Sequence, residues 1–146
     1  MNIVIDTNIV FSALLNANGL IGELLLNSQD EFKFYAPELL QEEIARYKNK
    51  LLATSKLSSI QFEESNYRVM TLIKSISEDL INQNSWTKAA ELTHDVDEDD
   101  TPFVALTIEL NAVLWTGDKK LLNGLTNKGF KSIVSTQQLF SLRSEL

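Results

Sequence analysis

NIVIDTNIVFSALL, residues 2–15, is the stretch on which the fold turns. Its first four residues form a run too continuously apolar for a strand with one wet face. Both faces are expected to be covered, as in a parallel sheet. The strand ends on Asp6, then Thr7 and Asn8, and a second apolar run follows that reads as a short helix. A charge at the edge of a core costs free energy unless it is paired or bound to a cation. The rest of the chain has to supply the partner.

Working outward, strands and helices alternate. GLIGELLLN (19–27) reads as a second short helix and EFKFYA (31–36) as a strand ending at Pro37. PELLQEEIARYKNKLL (37–52) has a proline in its first turn and apolar residues at helical spacing. SSIQFEESNYRVMTLIKSI (58–76) reads as one long amphipathic helix, with Ser58 and Gln61 at capping-box spacing. SWTKAAELTH (85–94) is a shorter helix, and DDTPFVALTIEL (99–110) a helix with Asp100 as its natural N-cap. AVLWT (112–116) is a buried strand running into GDKKLL, and KSIVS (131–135) a strand before a last helix, TQQLFSLR. This alternation predicts an α/β fold with a central parallel sheet covered on both faces. No repeat, low-complexity tract or linker interrupts it, so one domain spanning residues 1–146 is expected.

Composition narrows the function classes. The chain is 44% hydrophobic and 23% charged, with no apolar run near the roughly 18–20 residues of a membrane span. Asp6 interrupts the N-terminal apolar run, so no secretory leader is expected and a cytoplasmic location is. The absence of cysteine rules out disulfides, thiolate zinc sites and a cysteine nucleophile; the single histidine, His94, argues against a histidine-rich centre. A net charge of −7 disfavours blanket neutralisation of nucleic-acid phosphates. It leaves open a carboxylate cluster whose bound cations meet the phosphates.

Ligands of open parallel sheets bind outside the carboxyl ends of the strands. Asp6 and Asp118 both follow predicted strands, and neighbouring strands would put them in one crevice, where a cation relieves their repulsion. On the 37–52 helix, Leu39, Leu40, Ile44, Tyr47 and Leu51 make one face. Glu43 projects within that face and Glu42 lies toward its edge. Glu43 would then be a site residue, or a group that caps a loop or pairs with a lysine. The run DVDEDDTPF crowds Asp95, Asp97, Glu98, Asp99 and Asp100 before a helix. Taken alone, such a run is a solvated helix start, and Asp100 a cap. Taken together, Asp6, Glu43, Asp100 and Asp118 are four oxygen donors without histidine or cysteine, a set suited to Mg²⁺ or Mn²⁺. Carboxylate-held ions of this kind promote phosphodiester hydrolysis, and no Gly-rich phosphate loop points to a nucleoside triphosphatase.

The segments IVIDTNIVFSALL, YAPELLQEEIARYKNKLL and DEDDTPFVALTIELNAVLWTGDKKLL resemble, in order, the motifs of the PIN-domain family, over nearly the whole chain. The resemblance implies a three-layer α/β/α sandwich. It also implies an Mg²⁺- or Mn²⁺-dependent ribonuclease acting on single-stranded RNA, often the toxin half of a bacterial toxin–antitoxin pair. By the same resemblance Asp6, Glu43, Asp100 and Asp118 match the acidic quartet that binds metal and carries catalysis. Asn8 and Thr116 match its small polar positions; alignment alone could choose Glu42 in place of Glu43, helix phase prefers Glu43, and Glu42, Asp97 and Asp99 are further ligand candidates. An antitoxin is then an expected partner. A homodimer is also expected, with the Leu- and Ile-rich helices near the N-terminus forming either its surface or simply core.

Two other classes compete. A binding module in an RNA-processing or regulatory complex would keep the fold without catalysis, although a retired site would be expected to lose acids. A receiver domain or aspartyl phosphatase also places acids at strand ends. Here the first acid is followed by Thr-Asn with no second Asp two residues on, and no lysine follows a late strand as required. Lys119, Lys120 and Lys128 are candidates to touch phosphates, and Trp115 and Tyr47 to stack on bases. The plainer reading of each is a solvated lysine or a core aromatic.

Overall fold

The computed structural model describes all 146 residues. Five strands form one parallel sheet: β1 (Asn2–Ile5), β2 (Lys33–Pro37), β3 (Ile73–Ile76), β4 (Val113–Trp115) and β5 (Ile133–Val134), in the order β3-β2-β1-β4-β5. The helices are α1 (Thr7–Leu15), α2 (Leu20–Leu26), α3 (Leu39–Thr54), α4 (Ser59–Met70), α5 (Gln83–Thr93), α6 (Thr101–Glu109), α7 (Lys119–Asn127) and α8 (Thr136–Glu145). Short 3₁₀ turns at Glu78–Leu80 and Glu98–Asp100 precede α5 and α6. Ile3, Val4 and Ile5 are 0% exposed, so helices cover both faces of the central strand. This is the α/β sandwich that the alternating pattern predicts.

The short helices α1 and α2 turn Ile9, Val10, Ala13, Leu14, Leu24 and Leu25 into the core, so their apolar residues are largely interior. Gly22 permits the tight corner between them, because a Cβ there would lie 2.2 Å from the Ala17 carbonyl oxygen. No single helix is long and apolar enough to cross a membrane.

Three local expectations need correction. The 58–76 segment is two elements, not one helix. Its capping box at Ser58 and Gln61 is present, but α4 stops at Met70 and residues 73–76 pair with β2 as the edge strand β3. Leu72, Ile73 and Ile76 fit helical spacing as well as a strand, and only pairing with β2 decides between them. Pro37 does not open α3; it is the last residue of β2, opposite Ile76, where the missing N–H costs little. Asp100 occupies the N-cap position of α6 but has αR backbone angles and makes no side-chain capping bond. Its carboxylate is free for other use.

Candidate metal centre

The sheet order places β1 and β4 side by side, with Ile5 opposite Trp115, and the chain runs outward in both directions from this pair. Their carboxyl ends form the switch point where a crevice opens. Asp6 leaves β1 there, and Thr116-Gly117-Asp118 leave β4.

A hydrogen-bond network locks these two strand ends. Asp6 is 4% exposed; its Oδ1 accepts from Thr7 N at 2.8 Å and its Oδ2 from the Thr116 hydroxyl at 2.7 Å. The Thr116 Oγ1 in turn accepts from Asp118 N at 3.0 Å. Asp118 Oδ1 caps α7 by accepting from Lys120 N and Leu121 N. Asn8 Oδ1 accepts from Gly117 N at 3.3 Å, tying the start of α1 to the same loop. Thr116 and Asn8 thus position the acids from two sides.

The run after α5 brings in the remaining carboxylates. Carboxylate oxygens of Asp97, Asp100 and Asp118, all half-buried, lie within 4.8 Å of one another. The quartet expected from sequence is therefore distributed. Asp100 and Asp118 converge directly, joined by Asp97, whereas Asp6 and Glu43 stand beside this trio. Of the two further candidates in the acidic run, Asp97 joins the group and Asp99 does not; the sequence does not distinguish them. Asp95 turns away to pair with Lys128. Glu43 is half-buried, and Glu42 is exposed.

Electrostatics show how these acids are placed. Burial pushes the Asp6 carboxyl above its ordinary range, against hydrogen bonds from Thr116 and Thr7, with Asp118 and Asp97 adding repulsion. Burial also raises Glu43, reinforced by repulsion from Asp6 and partly offset by Thr7 and Arg46. Asp100 is pushed up to about 8, first by burial and then by Asp6, Asp97, Asp118 and Glu43. None of the four ion pairs in the molecule involves these residues.

The donor set fits a hard divalent cation. It contains only oxygen, Asp97, Asp100 and Asp118 converge within it, and none of its acids forms an ion pair. The Thr7 hydroxyl adds to the fit: it favours the charged form of Glu43, yet it is buried and makes no hydrogen bond of ordinary geometry. Thr7 stands directly after Asp6, and no pattern in the sequence marks it as part of the site.

The aromatic and basic candidates divide. Trp115 is fully buried, donates its indole N–H to Thr136 Oγ1 at 3.1 Å and packs on Phe34, so it cannot stack on a base. Lys128 donates to the Leu92 carbonyl and pairs with Asp95, so it is not available to a phosphate. Lys119 and Lys120 are exposed at the start of α7, and Tyr47 is 39% exposed on α3.

Comparison with known proteins bears on the family and on the fold. The family described as the PIN domain matches residues 4–138. An uncharacterized protein of Methanocaldococcus jannaschii, MJ1680, is 31% identical over 124 residues, covering 84% of this chain and 74% of that protein. Among solved structures, VapBC2 from Rickettsia felis, bound to a DNA fragment from their promoter, superposes with a TM-score of 0.64. At 15% identity, that match covers 92% of this chain and 97% of the other and speaks to the fold alone.

Proposed function

The chain belongs to the PIN-domain family, and from that premise we propose that it is a metal-dependent endoribonuclease cutting single-stranded RNA. The observation that carries this reading is the convergence of Asp97, Asp100 and Asp118 at the β1/β4 switch point with no cation of the chain's own to neutralise them. Asp6, Asp100 and Asp118, joined by Asp97, would hold Mg²⁺ or Mn²⁺, with Glu43 as a further ligand or as the base. When bound, the ion supplies Lewis acidity toward a phosphoryl oxygen and lowers the pKa of water.

The chain's own groups supply the rest. Thr7 and Thr116 hold the Asp6 carboxylate in one orientation, and the Asp118 cap to α7 fixes the second strand end. Glu43, its carboxyl raised by burial, is suited to orient the attacking water and accept its proton at a carboxylate oxygen. Attack of that water oxygen on phosphorus breaks the bond to the leaving oxygen. Residues 1–146 would act as one nuclease domain in the cytoplasm, as a toxin-type protein with an antitoxin partner and a homodimeric assembly. The similarity to VapBC2 supports the partnered arrangement.

The test is cleavage of a labelled single-stranded RNA with Mg²⁺, with Mn²⁺ and with EDTA, by wild type and by Asp6→Asn. Cleavage with either metal that disappears in EDTA and in the variant is expected. Undiminished cleavage in EDTA or by the variant would contradict the metal mechanism.

A further inference from the structure

Beside the metal centre lies a cleft of about 300 Å³, walled on one side by Glu43, Arg46 and Tyr47 of α3 and on the other by Glu98, Asp99 and Pro102. Its size is at the low end for small-ligand pockets, sufficient for one nucleotide unit and not for a folded partner. Glu43 belongs to both the cleft and the acidic group around Asp6, so an occupant of the cleft is adjacent to the reacting position. Two features of the walls are unexplained by folding. Arg46 is exposed, makes no ion pair and donates no side-chain hydrogen bond, although Glu43 is one turn away. Tyr47 is held edge-on by Phe11 of α1, with ring centroids 6.0 Å apart at 72°. That brace fixes the phenol ring while leaving it 39% exposed.

The geometry points to a nucleobase subsite: the base of a nucleotide flanking the scissile phosphate stacks on Tyr47, its donor edge toward Glu98 and Asp99, with Arg46 on the adjoining phosphate. A free phosphate is a poor occupant, because three carboxylates, Glu43, Glu98 and Asp99, line the cleft against one guanidinium. A base is a better one, since an exocyclic amine offers two N–H donors to the facing carboxylates where uracil offers only its single N3–H. Adenine, cytosine and guanine carry such an amine and uracil does not, so this wall favours the amino-bearing bases. A braced aromatic supplies stacking that tolerates any of the three. This subsite rests on the nuclease reading above for its place next to a scissile bond, but its binding can be measured without cleavage.

The experiment has two arms, each run on wild type, Tyr47→Ala, Tyr47→Phe and Arg46→Ala. In one arm the proteins are titrated with 5′-CMP and 5′-UMP in Mg²⁺ and followed by NMR, with no bond to cut. In the other, KM and kcat are measured on single-stranded RNA, together with the distribution of cleavage sites. Expected results are tighter binding of CMP than UMP, a loss of at least about fivefold in CMP affinity for Tyr47→Ala, and retention by Tyr47→Phe. Arg46→Ala should weaken both monophosphates alike. In cleavage, Tyr47→Ala should raise KM with little change in kcat and flatten the site preference. Wild-type CMP affinity, KM and site distribution in both Tyr47→Ala and Arg46→Ala would overturn the subsite while leaving the nuclease intact. CMP binding that depends on Tyr47 in a wild-type protein unable to cut RNA would support the subsite and remove the nuclease reading. Because Arg46 is solvent-exposed, its variant tests the subsite even if Tyr47→Ala unfolds.

Discussion

Two acidic regions of this molecule are built in opposite ways. Where α8 meets α2, Glu23 is gripped at both oxygens by Arg143, at 3.0 and 3.1 Å, and the same guanidinium donates to the buried Ser28 hydroxyl at 2.9 Å. At the carboxyl ends of β1 and β4, Asp97, Asp100 and Asp118 converge with no arginine or lysine among them. The first arrangement satisfies every charge it brings together. The second stores repulsion, which lowers the stability of the metal-free chain and leaves room for a cation. The difference lies in whether the chain supplies the counter-charge, and not in how acidic the segment is.

Substitutions in the two regions should therefore fail differently. The largest effect expected is on activity: Asp118→Asn should reduce RNA cleavage by at least about a hundredfold, more than loss of an outer-shell partner commonly costs, with the native fold retained by circular dichroism. Glu43→Gln should reduce cleavage tenfold or more and Glu42→Gln by less than about twofold, since only Glu43 is half-buried toward Asp6. Equal losses in side-by-side rates would remove Glu43 from the mechanism. In the paired region the cost should appear in stability alone. Arg143→Met should lower unfolding free energy in urea by about 1–3 kcal/mol, because Ser28 is left buried without its donor, while cleavage per folded molecule is unchanged.

A smaller effect concerns pH. The Asp100 carboxyl rises from 3.8 to about 8 on folding, so the folded chain holds this proton more tightly than the unfolded chain does. The stabilisation is complete below the ordinary value and is lost as pH rises through the folded one. In EDTA, wild type should melt at a higher temperature near about pH 5 than near about pH 8.5, and Asp100→Asn should show a smaller difference. Equal differences in the two proteins would mean that burial and the neighbouring carboxylates do not raise the proton affinity of Asp100.

Much of this contrast is legible in the sequence. The unbroken apolar run before Asp6 and the strand before Thr116-Gly117-Asp118 indicate a parallel sheet with two acids at neighbouring strand ends. The phase of α3 separates Glu43 from Glu42. Sequence is blind where two acids share one short turn: Asp97 joins Asp100 and Asp118, and Asp99 lines the neighbouring cleft, because the 3₁₀ turn Glu98–Asp100 rotates successive side chains apart. Pairing also escapes it. Lys128 with Asp95, and Arg143 with Glu23, lie 33 and 120 residues apart and are joined only by the fold. The edge strand β3 was hidden for the same reason, since its apolar spacing suits a helix until β2 is placed beside it.

The central claim is that the unpaired acids form one shared cation site, and melting curves test it most directly. Wild type and Asp118→Asn are each unfolded by heat in EDTA and in Mg²⁺. In EDTA the variant should melt at the higher temperature, because one repelling charge has been removed. Mg²⁺ should stabilise wild type by about 2.7 kcal/mol at a hundredfold excess over its dissociation constant and the variant by much less. An equal Mg²⁺ shift in both proteins, or a shift in neither, would contradict a shared site.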